Sequence, residues 1–130
     1  MAENAKVLVD SSVWVDYFNG EDEAVETLNF LIKSTRVVVC GLIRQEVLQG
    51  SRDEKAFVRL EKQMALWESV SEEPPDFTEA AHIFARLRWK GITIPPTDCL
   101  IAAVAIRHNL LLYAHDADFD EIPQLQRFRR

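Results

Sequence analysis

The chain reads as an α/β protein, a central parallel β-sheet flanked by α-helices, and three observations predict this. Short continuous apolar runs recur at Lys6-Val7-Leu8-Val9, Val37-Val38-Val39-Cys40 and Leu110-Leu111-Leu112-Tyr113, as strands buried on both faces of a parallel sheet require. Between them lie segments whose apolar residues repeat at helical spacing, so the alternation implies βαβ units. A length of 130 residues suits one domain, since domains most often run to about 100–150 residues.

Taken in order, the first strand ends at Asp10, and Asn19-Gly20 breaks the segment after it. Ala24, Leu28, Leu31 and Ile32 form one stripe of a helix. Arg36 to Cys40 is a second buried strand, and Ile43 to Gln49 a short helix closed by Gly50. Phe57, Leu60, Met64 and Trp67 mark another helix, with a brief strand at 67–70. Pro74-Pro75 closes that connection, and Thr78 caps a helix carrying Ala81, Phe84 and Leu87, stopped by Gly91. Pro95-Pro96-Thr97-Asp98 precedes Leu100–Ile106, an all-round apolar run that reads as a buried helix ended by His108-Asn109. The last strand leads into Ala114-His115-Asp116-Ala117-Asp118-Phe119. One domain is expected over 1–130, with 1–5 as a short tail.

Composition excludes several classes. With 48% hydrophobic and 28% charged residues the chain is globular. No apolar run nears the roughly 20 residues of a membrane span, and the N-terminus lacks a basic stretch followed by an apolar signal region, so a cytoplasmic protein is expected. Cys40 and Cys99 lie inside apolar segments and read as buried free thiols. A net charge of −6 speaks at first against a nucleic-acid partner. The charge is uneven, however: Arg86-Leu87-Arg88-Trp89-Lys90 and Arg127-Phe128-Arg129-Arg130 are basic, Glu21-Asp22-Glu23 and Glu72-Glu73 acidic.

Four carboxylates carry the chemistry: Asp10, Glu46, Asp98 and Asp116. Asp10 and Asp116 follow strands, at the edge where open parallel sheets build their crevice. Each also has a plainer reading, as a helix cap, a solvated helix residue or a turn former. Asp98 opens the most apolar helix, so its first turn is forced toward the interior. Glu46 stands beside Ile43 and Val47 at the rim of the core. Oxygen ligands without His or Cys at ligand spacing select a hard cation such as Mg²⁺ or Mn²⁺. His82 and His108 read as surface or helix-end residues, and His115 is placed to touch the site. There is no glycine-rich phosphate loop among the four scattered glycines.

The run from Val7 through Asp10-Ser11-Ser12 to Phe18 resembles the opening motif of PIN-domain ribonucleases. Gly41 to Gly50 around Glu46 resembles the second motif, Asp98-Cys99-Leu100-Ile101-Ala102-Ala103 the third, and Asp116-Ala117-Asp118-Phe119 the fourth. Their order and spacing match the VapC-type toxins of toxin–antitoxin pairs over essentially the whole chain. The resemblance implies a PIN fold and Mg²⁺- or Mn²⁺-dependent endonucleolytic cleavage of RNA, with transfer RNA the first expectation. It makes Asp10, Glu46, Asp98 and Asp116 the metal-binding and catalytic quartet, with Ser12 as a supporting hydroxyl and Asp118 as a candidate to share the role of Asp116. It implies a homodimer inhibited by a cognate antitoxin, whose tail enters the acidic groove. Ala114 departs from the pattern, since many relatives carry Thr there.

Substrate grip is expected from Arg44, Arg86, Arg88 and Lys90, which read equally as ordinary helix-surface charge. Trp14, Tyr17 and Phe18 can stack on a base or pack the first helix. Two rival readings remain open on the residues alone. In one, Asp10 is the phosphoryl-accepting nucleophile of a receiver domain or small phosphatase, although no lysine follows Lys90. In the other, an idle PIN domain serves only to bind.

Overall fold

The computed structural model describes residues 4–129, so residues 1–3 of the expected tail and Arg130 lie outside the described residues. The elements run β1 (Val7–Val9), α1 (Ser11–Phe18), α2 (Asp22–Lys33), β2 (Val37–Cys40), α3 (Gly41–Gln49), α4 (Glu54–Met64), β3 (Glu68–Val70), α5 (Pro74–Trp89), α6 (Pro96–Arg107) and β4 (Leu111–Tyr113), followed by a 3₁₀ turn at Ala117–Glu121. The sheet order is β3-β2-β1-β4 and every pairing is parallel. From β1 the chain builds outward through β2 to β3, then crosses back to place β4 on the other side of β1. The topological switch therefore lies between β1 and β4, where a crevice opens beyond the strand ends.

The apolar runs form the central strands for the expected reason. Val7, Leu8 and Val9 are all fully buried although successive side chains point to opposite faces, so both faces of β1 are covered. β2 is buried along its whole length, whereas the edge strand β3 exposes Glu68 and Ser69. Buried area on α6 runs from Cys99 and Ile101 to Ala105, all round the helix. The small residues Ala102, Ala103 and Ala105 let neighbouring elements approach it closely. Helix ends follow local chemistry. At Gly91 (φ +85°) the bonds Ile92 N–H to Leu87 O and Gly91 N–H to Arg88 O stop α5 in a left-handed cap. No helix among the described residues is long and apolar enough to cross a membrane.

Three local expectations change. Pro74 and Pro75 open α5 rather than closing the connection before it. Proline's fixed φ and missing N–H suit the first helical positions, where the N–H has no partner in any case. Glu73 and Asp76 then form a reciprocal capping box. The buried stripe of α5 is Ala80, Ile83 and Leu87, with Phe84 partly buried against the core and Ala81 exposed. Helix α4 stops at Met64, so Trp67 belongs to the turn before β3. Gly50 does end α3, but with φ −82°, so its left-handed freedom is not used there.

Candidate active site

Asp10 continues β1 past its end, with its N–H bonded to Tyr113 O at 2.9 Å across the switch point. Its carboxylate is also the N-cap of α1: Oδ2 accepts from Ser12 N (3.4 Å) and Ser12 Oγ (2.7 Å). The capping reading therefore holds for a buried residue that also stands at the switch point. Ser11, one position earlier, donates its hydroxyl to Glu46 Oε1 at 3.0 Å. A helix turns about 100° per residue, so adjacent hydroxyls reach different carboxylates. The resemblance singles out Ser12, whereas no spacing in the sequence marks Ser11 as the partner of Glu46.

Glu46 enters from α3, half-buried, and its helix is oriented by a carboxylate far away in sequence. Glu72 accepts from Gly41 N (3.2 Å) and Leu42 N (2.7 Å), capping an N-terminus that has no side-chain cap of its own. Gly41 lets Glu72 come this close, because a Cβ there would lie 2.8 Å from Glu72 Oε1 and push that carboxylate aside. Asp98 is the third residue of α6, and Asp116 caps the 3₁₀ turn, its Oδ1 accepting Asp118 N at 2.8 Å.

Electrostatics shows that these acids converge. Asp98's carboxyl is pushed up to about 6, first by burial and then by the negative charges of Asp10, Asp116, Glu46 and Asp118, in that order. Burial also raises Glu46, with the Ser11 hydroxyl opposing and Asp10 adding to the shift. Asp98 thus feels the charge of the other three expected acids, and that of Asp118 more weakly than that of Asp116. Among the described residues, no three His, Cys, Asp or Glu side chains are already gathered closely enough to hold a metal ion as they stand. The donor set is nonetheless all-oxygen and negatively charged, and Asp98's elevated proton affinity marks a charge excess that a hard cation would offset.

The remaining candidates separate. Arg44 reaches Glu61 at 3.8 Å and Arg86 reaches Glu79 at 3.7 Å, so both already face a carboxylate. Arg88 and Lys90 are exposed at the C-terminal end of α5. Helices α5 and α6 run antiparallel, because Asp76 at the start of α5 binds Arg107 at the end of α6 (2.6 and 2.9 Å). The end of α5 therefore lies at the same end of the pair as Asp98. Trp14 is fully buried and stacks on Phe18 and Trp67, so its role is packing rather than base stacking. His115 pairs with Asp16, Nε2 lying 3.0 Å from Oδ2, rather than with one of the four acids. Cys40 and Cys99 are free and buried, and burial pushes their thiols up to about 12 and about 11. Neither is a nucleophile.

Comparison with known proteins gives the family and the fold. Residues 7–125 match the PIN-domain family. Ribonuclease VapC11 of Mycobacterium tuberculosis is 37% identical over 124 residues, covering 92% of each chain. The VapC ribonuclease Mb1587 of Mycobacterium bovis matches equally. The chain belongs to the PIN-domain family, in its VapC group. Its fold superposes on the crystal structure of VapBC2 from Rickettsia felis bound to a promoter DNA fragment (TM-score 0.81, 22% identity, 94% of this chain and 96% of that one). FitAcB from Neisseria gonorrhoeae gives a TM-score of 0.78 at 19% identity, over 95% and 96% of the two chains. M. tuberculosis VapC20, a sarcin-ricin loop cleaving toxin, gives 0.69 at 18%, over 89% and 94%. At such identities the structural likeness speaks for the fold, and the VapC relatives carry the family assignment.

Proposed function

We propose that this PIN-domain chain is an endoribonuclease toxin of a toxin–antitoxin pair, acting in the cytoplasm on structured RNA in a Mg²⁺- or Mn²⁺-dependent way. The observation that carries the reading is the negative charge of Asp10, Asp116 and Glu46 acting on the half-buried Asp98. Asp10 and Asp98 would hold a cation facing the scissile phosphate, and Asp116 and Glu46 would hold its waters or a second cation. When bound, the cation offsets charge at the phosphate and acidifies the attacking water. The chain's own residues supply the rest. Ser12 keeps Asp10 turned into the crevice and Ser11 does the same for Glu46. Burial and neighbouring carboxylates raise the proton affinity of Glu46 and Asp98 in the metal-free protein, an unfavourable charge that a bound cation would offset. Arg88 and Lys90, at the Asp98 end of the helix pair, would steer the RNA backbone, with Arg44 and Arg86 released from their carboxylates to help.

Transfer RNA is the first substrate to try, with ribosomal and messenger RNA as the alternatives. The VapC relatives, and structural neighbours solved as VapBC complexes, support an antitoxin partner. A homodimer fits the exposed apolar hollow of about 490 Å³ lined by Leu42, Phe77, Ala81, Phe84 and Leu100, and sedimentation of the isolated chain checks it. The test of activity is end mapping in total RNA, without antitoxin, for wild type and Asp98→Asn. Discrete new ends that vanish in EDTA and in the variant are expected. Undiminished cleavage by Asp98→Asn would sink the assignment.

A further inference from the structure

We propose that Arg127 is a positioning residue that clamps the loop carrying Asp116 and Asp118. The proposal rests on the nuclease reading only for its effect on turnover. After β4 the chain leaves the sheet through Ala114 and His115 into the 3₁₀ turn, where Asp116 is exposed and Asp118 half-exposed. Within that turn, Asp116 bonds its own neighbour, Asp118 N. A single apolar side chain, Phe119, anchors the turn in the core. Such a segment has little packing to hold two carboxylates in one geometry.

Arg127 supplies what packing does not. The C-terminal segment lies alongside β4, with Leu112 N bonded to Gln126 O (2.9 Å) and Phe128 N to Leu112 O (2.8 Å). That pairing turns the Arg127 side chain inward, to 9% exposure. There Nη2 donates to Ala114 O (2.6 Å), Nη1 donates to Asp120 Oδ1 (2.8 Å), and the guanidinium lies 5.7 Å from the centre of the Phe119 ring. The three attachments bracket Asp116 and Asp118 from both sides. They also fix the carbonyl of Ala114, the position where the side chain itself offers no hydroxyl.

The arrangement is a poor way to gain stability alone. Nε of Arg127 is buried with no hydrogen-bond partner among the described residues, and a well-packed apolar side chain commonly serves as well in a buried place. What an apolar side chain lacks is the planar fork that ties two acceptors at a fixed separation. Arg129 is the internal control: it reaches the same Asp120 oxygen at 2.7 Å from solvent and forms no bond to Ala114.

The test compares Arg127→Met, Arg127→Lys, Arg129→Ala and Met64→Ala, a buried change on α4. Amide hydrogen exchange is read on metal-free protein. Arg127→Met keeps an unbranched apolar stem but removes the guanidinium with both of its bonds and its contact with Phe119, so amides 115–119 should exchange about 10-fold faster. Arg127→Lys, which can reach one acceptor at a time, should fall between. Calorimetric Mn²⁺ affinity should drop about 10-fold in Arg127→Met, as lost outer supports of ligands typically cost. On a cleaved RNA, kcat should fall about 10- to 100-fold with KM nearly unchanged. Met64→Ala should lower Tm without moving any of these readouts, and Arg129→Ala should leave them near wild type. Unchanged exchange at 115–119 in Arg127→Met, or equal loosening in Met64→Ala, would overturn the clamp. If Arg127→Met does not fold, Arg127→Lys decides by the same amides. A wild type that cuts no RNA would end the nuclease reading, while exchange on the metal-free protein would still judge the clamp.

Discussion

Asp76 and Asp98 occupy the same position on neighbouring helices and have opposite fates. Each is the third residue of its helix behind a proline at the first position, Asp76 in α5 and Asp98 in α6. A helix N-terminus favours an anion at both. At Asp76 the Arg107 fork closes on the carboxylate at 2.6 and 2.9 Å and holds it below the usual range, against the effect of burial. At Asp98 burial and four acidic neighbours push the carboxyl up to about 6. The helix terminus is common to both, so it does not decide. Arg107 decides at Asp76, and burial together with like charges decides at Asp98.

The comparison breaks most sharply by making both residues asparagine. Asp98→Asn should abolish cleavage yet leave the metal-free protein more stable than wild type at neutral pH, by on the order of 1 kcal/mol after solvent screening. Asp76→Asn should do the reverse, costing about 2–3 kcal/mol, because it weakens a charged pair and orphans part of the Arg107 fork. Urea melts of the two variants in EDTA check both signs. If Asp98→Asn loses as much stability as Asp76→Asn, the two carboxylates do the same structural work and the contrast fails.

The same contrast appears in pH. For Asp98 the folded pKa lies above the unfolded value of about 3.9, so between that pH and about 6 the folded state binds more protons. Stability of metal-free protein should therefore fall as pH rises through this window. For Asp76 the folded pKa lies below the unfolded one. Its contribution is complete above about pH 4 and is lost as pH falls through the folded value. Subtracting each variant's denaturation curve from wild type isolates the two slopes, which should have opposite signs.

The fold was legible because burial on both faces writes itself as apolar runs, as at Val7–Val9 and Val37–Cys40. Asp10 and Asp98 were legible by position, at a strand end and at the start of the all-apolar helix. Glu46 needed the family pattern, since a glutamate on a short helix has no local mark that distinguishes it from a solvated one. The supports were not legible at all. Glu72 caps α3 from about 30 residues away, Arg107 meets Asp76 at a similar separation, and Arg127 turns back on Ala114. No spacing rule links such partners, because only the packed chain brings them together. The start of α5 was readable in principle, as Glu73-Pro74-Pro75-Asp76 is a capping box with prolines inside it. Read one at a time the prolines signal a break, because proline stops a helix everywhere except at its first turn.

Ser11 sharpens the comparison from the side of the smallest effect. Its hydroxyl favours the ionised form of Glu46 against burial and against Asp10. Glu46 therefore stands between the two extremes, a site carboxylate with one neutral donor where Asp76 has a cation and Asp98 has only carboxylates acting on it by charge. Ser11→Ala should push the Glu46 carboxyl further up and reduce cleavage several-fold at low pH, with the deficit shrinking as pH rises and Glu46 ionises. The stability cost should be no more than about 1 kcal/mol, that of one hydrogen bond. Ser12→Ala acts on Asp10 instead, so it should not reproduce the pH-dependent recovery. Cleavage–pH profiles of the two variants distinguish these outcomes, and identical profiles would mean that the serines act through the helix rather than through their separate carboxylates.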